Sequence, residues 1–182
     1  MTTQLDSDDI KGLVLGLALP SMVAQFVSVL YSIVDRMYIG NIAVIGETAL
    51  AGVGVCGPIL TMISAFASLI GIGGGPLVSI RLGQHREKDA EKVLSDCFMT
   101  LSAISVLVMA VSFLLKDRLL WWFGASEAVF PYADEYMSWY LSGTVFALLS
   151  TGMNQFIICQ GYAKTAMRSV LLGAALNIIL DP

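Results

Sequence analysis

The chain has 182 residues, 57% of them hydrophobic and only 13% charged, with a formal net charge of −4. A soluble domain carries roughly 25% charged residues, so the composition excludes an ordinary soluble enzyme and fits a protein with lipid-facing surface. The net charge says little by itself, because the charges cluster in the connections between apolar runs.

Charged residues are absent from 12–34, 48–80, 97–115 and 136–163, and a fifth run occupies 169–180. A helix needs about 20 apolar residues to cross a bilayer. The runs therefore predict an all-α, polytopic transmembrane bundle of about five helices. Residues 1–11 read as a cytoplasmic tail and 12–182 as a transmembrane lobe. The tail is acidic at Asp6, Asp8 and Asp9 rather than basic, and the first apolar run is too long for the core of a cleavable signal. Helix 1 is thus expected to stay in the membrane.

Helix 1 is predicted over about 12–39, with Asp8 or Asp9 as its cap. Pro20 removes a backbone hydrogen bond inside it, so a bend is expected there. Ser21, Gln25, Ser28, Ser32 and Asp35 follow spacings of four, three, four and three, which place them on one helical face. Small polar residues on such a face serve helix packing as readily as a water-filled cavity. Asp35 is different. A carboxylate within a membrane span costs about 2.5–3.5 kcal/mol at the centre and marks a functional site by default.

Helix 2 is predicted from about Thr48. The run to Ile80 would be ~50 Å long, more than a bilayer core of ~30 Å. It is expected to tilt, to break at the glycine-rich stretch 71–76, or to project into the cytoplasm. That stretch lacks the Gly-Lys-Ser/Thr of a phosphate loop. The loop from Arg81 to Asp96 holds Arg81, Arg86, Lys88 and Lys92, and its His85 has no Cys or Asp at ligand spacing, so no metal site is expected. The basic loop is explained by membrane topology rather than by nucleic acid. Helix 3 is predicted over about 90–115 and helix 4 over about 131–162. Helix 4 carries Tyr136 at one end and Thr144, Thr151, Asn154 and Gln155 deeper. Trp121, Trp122, Trp139 and Tyr140 gather near one boundary, as an interfacial aromatic belt would; the segment 121–131 is expected to lie along that surface. Cys56, Cys97 and Cys159 sit in apolar settings and read as small packing residues.

Helix 5 is predicted from about Thr165. It places Asn177 and Asp181 at i and i+4, on one face. Asp35 lies ~35 Å along helix 1 and Asp181 ~24 Å along helix 5, both in the outer half. Two carboxylates at similar depth could share one site. Like charges in a low dielectric do not both ionise cheaply, so one of the pair is expected to take up and release protons, with the Asn177 amide able to bridge them. The alternative is that Asp181-Pro182 simply ends a helix. Lys11, the basic loop after helix 2, Lys164 and Arg168 lie on one side, and the positive-inside rule makes that side and the N-terminus cytoplasmic. Because the fifth run stops at Pro182, the chain is expected to be a piece of a longer protein.

Several segments together resemble the N-terminal lobe of the MATE (multidrug and toxic compound extrusion) transporters: Leu19-Pro20, 31–40 around Asp35, 49–53, 71–75, 81–83, and 175–182 with its Asn177 and Asp181. The resemblance implies two six-helix lobes around a cleft, of which this chain would supply helices 1 to 4 and most of 5. It implies a cation or proton site at Asp35, Asn177 and Asp181, a helix bend at Pro20, and a substrate cavity that draws on Tyr136 and Asn154. Gln25, Ser28, Tyr31 and Ser32 on the polar stripe are the further cavity candidates. The expected activity is H+- or Na+-coupled export of organic, often cationic, drugs across the plasma membrane, without a cofactor or catalytic residue. Expected partners are small organic substrates, the bilayer and a C-terminal lobe. A lipid-linked saccharide flippase is the nearest alternative, but it would favour Lys or Arg in the cavity. A prenyl transferase would need Asp-rich metal-diphosphate motifs, and a non-transporting scaffold would tolerate Ala at Asp35 and Asp181.

Overall fold

The computed structural model describes residues 10–180, and these form five helices: α1 (Ile10–Gly40), α2 (Gly46–Gly83), α3 (Glu87–Trp122), α4 (Phe130–Cys159) and α5 (Ala163–Leu180). Four of them are long and apolar enough to cross a membrane. The all-helical bundle expected from the apolar runs is the observed architecture. Asp181, Pro182 and the tail acids Asp6, Asp8 and Asp9 lie outside the described residues, so the proposed cap and the second carboxylate do as well.

Several boundaries differ from the sequence reading. α2 runs unbroken through Gly71 and both Pro58 and Pro76; at 38 residues it is ~57 Å long. The expected break does not occur, because neighbouring helices pack on the glycine side and hold the backbone. α1 is likewise continuous through Pro20. α3 begins at Glu87 and continues past Lys116, Asp117 and Arg118 to Trp122, so most of the predicted basic loop is helix and the true connection is 84–86. Charge-free length underestimates a helix that projects beyond the hydrocarbon. Trp121 closes α3 and stacks on Phe130 at the start of α4, with ring centroids 5.0 Å apart. The segment 121–131 is therefore two helix ends joined by a short connection.

Three connections end their helix in the same way. Bonds from Arg86 N to Arg81 O (2.9 Å), Ala125 N to Leu120 O (3.0 Å) and Tyr162 N to Ile157 O (3.1 Å) close the last turns of α2, α3 and α4. This closure needs a left-handed residue just before the donor. Gly124 (φ 95°) and Gly161 (φ 90°) supply it, while His85 takes φ 56° without being glycine.

The core belongs to α2, α3 and α4. Cys56, Ile59, Ile63 and Ala67 of α2 pack with Leu101 and Leu120 of α3 and with Ala133, Met137, Leu141 and Leu148 of α4. Val78, Ala90 and Phe156 form a second cluster nearer the α2–α3 turn. Lipid tails are as apolar as these side chains, so close backbone approach rather than water exclusion holds such helices together. Glycines permit that approach. A Cβ at Gly52 would meet the backbone N of Ala133 at 3.0 Å, and one at Gly75 would meet Cys159 Sγ at 2.6 Å. The hydroxyl of Ser79 donates to the Cys159 carbonyl at 2.6 Å. These contacts make α2 and α4 run in parallel. At the other end of α3, Lys116 Nζ pairs with Asp134 Oδ1 at 2.6 Å and donates to Ser138 Oγ at 2.8 Å, which ties α3 antiparallel to α4. α1 packs along α5 and touches α2 near their shared turn, and α5 in turn leans on α4. Leu15, Leu19, Met22, Phe26 and Ile33 of α1 are exposed, as a helix face directed to lipid or to a further apolar partner must be.

Candidate functional site

Between α1, α4 and α5 lies a cavity of about 680 Å³. α1 contributes Ser21, Ala24, Gln25, Ser28 and Tyr31; α4 contributes Ser150, Thr151, Asn154, Gln155 and Ile158; α5 contributes residues from Ala163 to Asn177. Ser21, Gln25 and Ser28 of the α1 polar stripe thus border open space between helices, while Ser32 and Asp35 lie outside it. Among the cavity-lining residues none is charged. The lining consists of amides, hydroxyls, one phenol and small or flexible apolar groups.

Two atoms in this cavity are chemically conspicuous. Asn154 Oδ1 and Asn177 Oδ1 are both buried and accept no hydrogen bond from the described residues. An unsatisfied buried carbonyl costs about 1–3 kcal/mol. Two such acceptors, on different helices and in residues that line one chamber, suit a ligand that brings donors or positive charge once a small side-chain rotation exposes them. Two hydroxyls of the lining are already engaged: Ser21 Oγ donates to the Leu17 carbonyl at 2.9 Å and Ser169 Oγ to the Thr165 carbonyl at 3.2 Å.

The sequence-predicted residues divide by position. Gln25, Ser28, Tyr31, Asn154 and Asn177 line the cavity together. Asp35, Ser32 and Tyr136 do not line it. Asp35 and Arg36 lie close enough to act electrostatically on the Tyr136 phenol, and Tyr31 acts in the same way on Tyr140. α1 therefore crosses α4 in the opposite direction, with the carboxylate beyond the Tyr31 end of the chamber. Asp35 is a partnered side chain. Pro20 is buried one residue before the first lining position, Ser21. Asp181 falls outside the described residues. Thr144, expected deeper on helix 4 beside Asn154, is fully buried and donates to the Tyr140 carbonyl at 3.2 Å.

The sequence reading omitted Ser150, Met167, Ser169, Val170 and Gly173. Helical register supplies the signal that would have found them. Ser150 and Ile158 stand four residues either side of Asn154, and Gly173 stands four before Asn177.

Comparison with known proteins follows the same geometry. The sequence profile of the MatE family matches residues 20–182. The chain belongs to the MatE family. It is 26% identical over 165 residues to the multidrug export protein MepA of Staphylococcus haemolyticus, covering 91% of this chain and 36% of that protein. It is 25% identical over 177 residues to an FAD transporter of Shewanella oneidensis, covering 97% of this chain and 38% of that one. Its fold matches the solved structure of the MATE multidrug transporter DinF-BH with a TM-score of 0.90 and 32% identity; the match covers 96% of this chain and 39% of that structure. The chain therefore spans less than two-fifths of these relatives. Its fold is the MATE-type helical bundle, and it is a multi-pass membrane protein of a transporter family, not of an enzyme family.

Proposed function

We propose that this chain forms the cation-coupled lobe of an exporter of small organic compounds, driven by inward H+ or Na+ flow. Its cargo would be cationic or rich in hydrogen-bond donors. The observation that carries the reading is the pair of unsatisfied amide oxygens, Asn154 Oδ1 and Asn177 Oδ1, in an uncharged polar chamber. Acceptors without donors stabilise an incoming cation or N–H group without the repulsion that a fixed positive charge would bring. The Tyr31 ring adds a face on which a flat cation can rest.

Asp35 sits beyond the chamber's Tyr31 end, near Tyr136. There a change in its charge alters the field at the end of the cavity. In this reading Asp35, Asn177 and Asp181 hold the coupling ion, and Pro20, which breaks the backbone ladder of α1, lets that helix yield when the site is occupied. The rest of the cleft and the alternate-access motion require the second lobe. The charge asymmetry of the connections supports a cytoplasmic N-terminus, and an exporter driven by inward ion flow would sit in the plasma membrane.

A flavin-nucleotide cargo is the second reading, favoured by the Shewanella relative that covers nearly the whole chain. A diphosphate calls for cations, and the lining holds no Lys or Arg, so the drug reading is preferred. Proteoliposomes of the full-length protein separate the two. Dye efflux that follows an imposed ion gradient and falls about 100-fold in Asp35→Asn supports the proposal, the loss corresponding to about 2.7 kcal/mol. Efflux that keeps its ion dependence in Asp35→Asn rejects it, and gradient-driven FAD export without dye export establishes the alternative.

A further inference from the structure

We propose that Gly71 on α2 is a positioning residue that sets how far Gln155 of α4 reaches into the chamber, and so the size of cargo the chamber admits. The inference rests on the transport reading above and adds a residue that does not touch cargo. Gln155 straddles two environments. Gln155 is one of the residues that line the cavity, while its stem lies against α2. A Cβ built on Gly71 would come within 2.9 Å of Gln155 Cγ, 3.0 Å of Gln155 Cβ and 3.0 Å of the Gly152 carbonyl oxygen. None of these atoms is the free end of a flexible side chain.

α4 has no room to retreat. One turn before Phe156, Gly152 presses against the methyl end of Leu101 on α3, and both Leu101 and Phe156 are fully buried. With α2 on one side and α3 behind, the open direction left to the Gln155 side chain is the chamber. Any group larger than hydrogen at position 71 would push Gln155 inward and narrow the cavity at that level. Gly73, two residues on, supplies an internal control: its Cβ would meet nothing within 4 Å. The glycine-rich stretch 71–75 thus contains one glycine that shapes the cavity wall and one that does not.

The test uses the full-length transporter in proteoliposomes and two dyes, ethidium and the bulkier rhodamine. Gly71→Ala should raise the apparent KM for rhodamine about five-fold and that for ethidium less than two-fold, while Gly73→Ala leaves both unchanged. A Gln155→Ala background keeps Cβ but removes Cγ and the amide, so nothing is left to be pushed into the chamber, and adding Gly71→Ala should change the rhodamine KM by less than about two-fold. Equal effects of Gly71→Ala in both backgrounds, or equal effects on both dyes, would overturn the proposal, since a merely weakened fold does not distinguish dyes. If Gly71→Ala fails to accumulate, Gln155→Ala alone decides: it must lower the rhodamine-to-ethidium KM ratio about two-fold or more, and an unchanged ratio overturns the assignment. Absence of efflux by the unmodified protein would sink the transport reading and this inference together, whereas normal efflux with additive effects sinks the inference only.

Discussion

The α2–α3–α4 block and the α1–α5 pair are made from similar apolar sequence, yet they pack in opposite ways. The block is closed. Glycine meets backbone or sulfur at several levels, its core residues are almost fully buried, and Lys116 and Asp134 tie α3 to α4. The α1–α5 pair leaves open space against α4, lined by amides and hydroxyls, two of whose oxygens have no donor among the described residues. The difference teaches that one wall of the chamber belongs to a closely packed core while the other meets it across open space. Packed interfaces switch between discrete arrangements rather than deform continuously. A helix pair with polar facing surface and little shared core has the lower cost of rearrangement, and it carries Asp35, Pro20 and Asn177.

The sharpest way to break this contrast is the same substitution in both regions. Gly152→Ala drives a methyl into the Leu101 side chain and should destabilise the full-length protein by about 2 kcal/mol, read as a lowered Tm in detergent. Gly173→Ala, which faces open space on α5, should leave Tm unchanged or raise it, since alanine is favoured in helices by up to about 1 kcal/mol. Equal losses at the two positions would show that the α1–α5 side is packed as tightly as the block.

Next in size is the tie at the end of the block. Lys116→Met leaves the Asp134 carboxylate without its cation and Ser138 without its Lys116 donor. A partly buried pair of this kind should contribute about 1.5 kcal/mol. The expected result is a lower Tm with dye KM unchanged; a changed KM would mean that the tie communicates with the chamber.

Asn154→Leu inverts the usual sign. It removes an unsatisfied buried carbonyl, so the cargo-free protein should gain about 1 kcal/mol in stability. Dye efflux should fall more than ten-fold at the same time, a loss of over about 1.4 kcal/mol in transition-state terms. A destabilised variant would show that Asn154 is bonded in the resting protein and is not poised for a ligand.

The smallest effect belongs to the turn that joins the two regions. Val44 is fully exposed and holds φ 73°, a left-handed conformation that suits glycine and not a β-branched residue. Val44→Gly should therefore stabilise by about 0.5 kcal/mol, the relieved strain slightly exceeding the added chain entropy. No change in dye efflux is expected, and a change would assign the turn a part in the motion.

Much of this was legible in the residues themselves. The charge-free runs announce membrane helices because charge is costly in lipid, whatever the neighbours. The stripe from Ser21 to Asp35 announces a polar face because polar atoms recur at helical spacing, and Ser21, Gln25 and Ser28 of it line the cavity. Asn177 follows from its own helix in the same way. The boundaries of α3 were less legible, because Lys116 to Arg118 end the apolar run without ending the helix. Thr144 and Asn154 look alike in sequence, yet one satisfies itself on its own helix and the other, in a residue that lines the chamber, keeps an oxygen without a donor among the described residues.

Hydrophobicity and periodicity are properties of a single segment, so the amino-acid order alone was enough to specify that this protein is helical, membrane-spanning and polar along one face of α1. Which helices close and which stand apart depends on distances between segments remote in the chain. Whether Gly71 meets Gln155, or Asn154 shares a cavity with Asn177, is settled by steric fit between helix surfaces, and that fit exists only once the bundle has assembled.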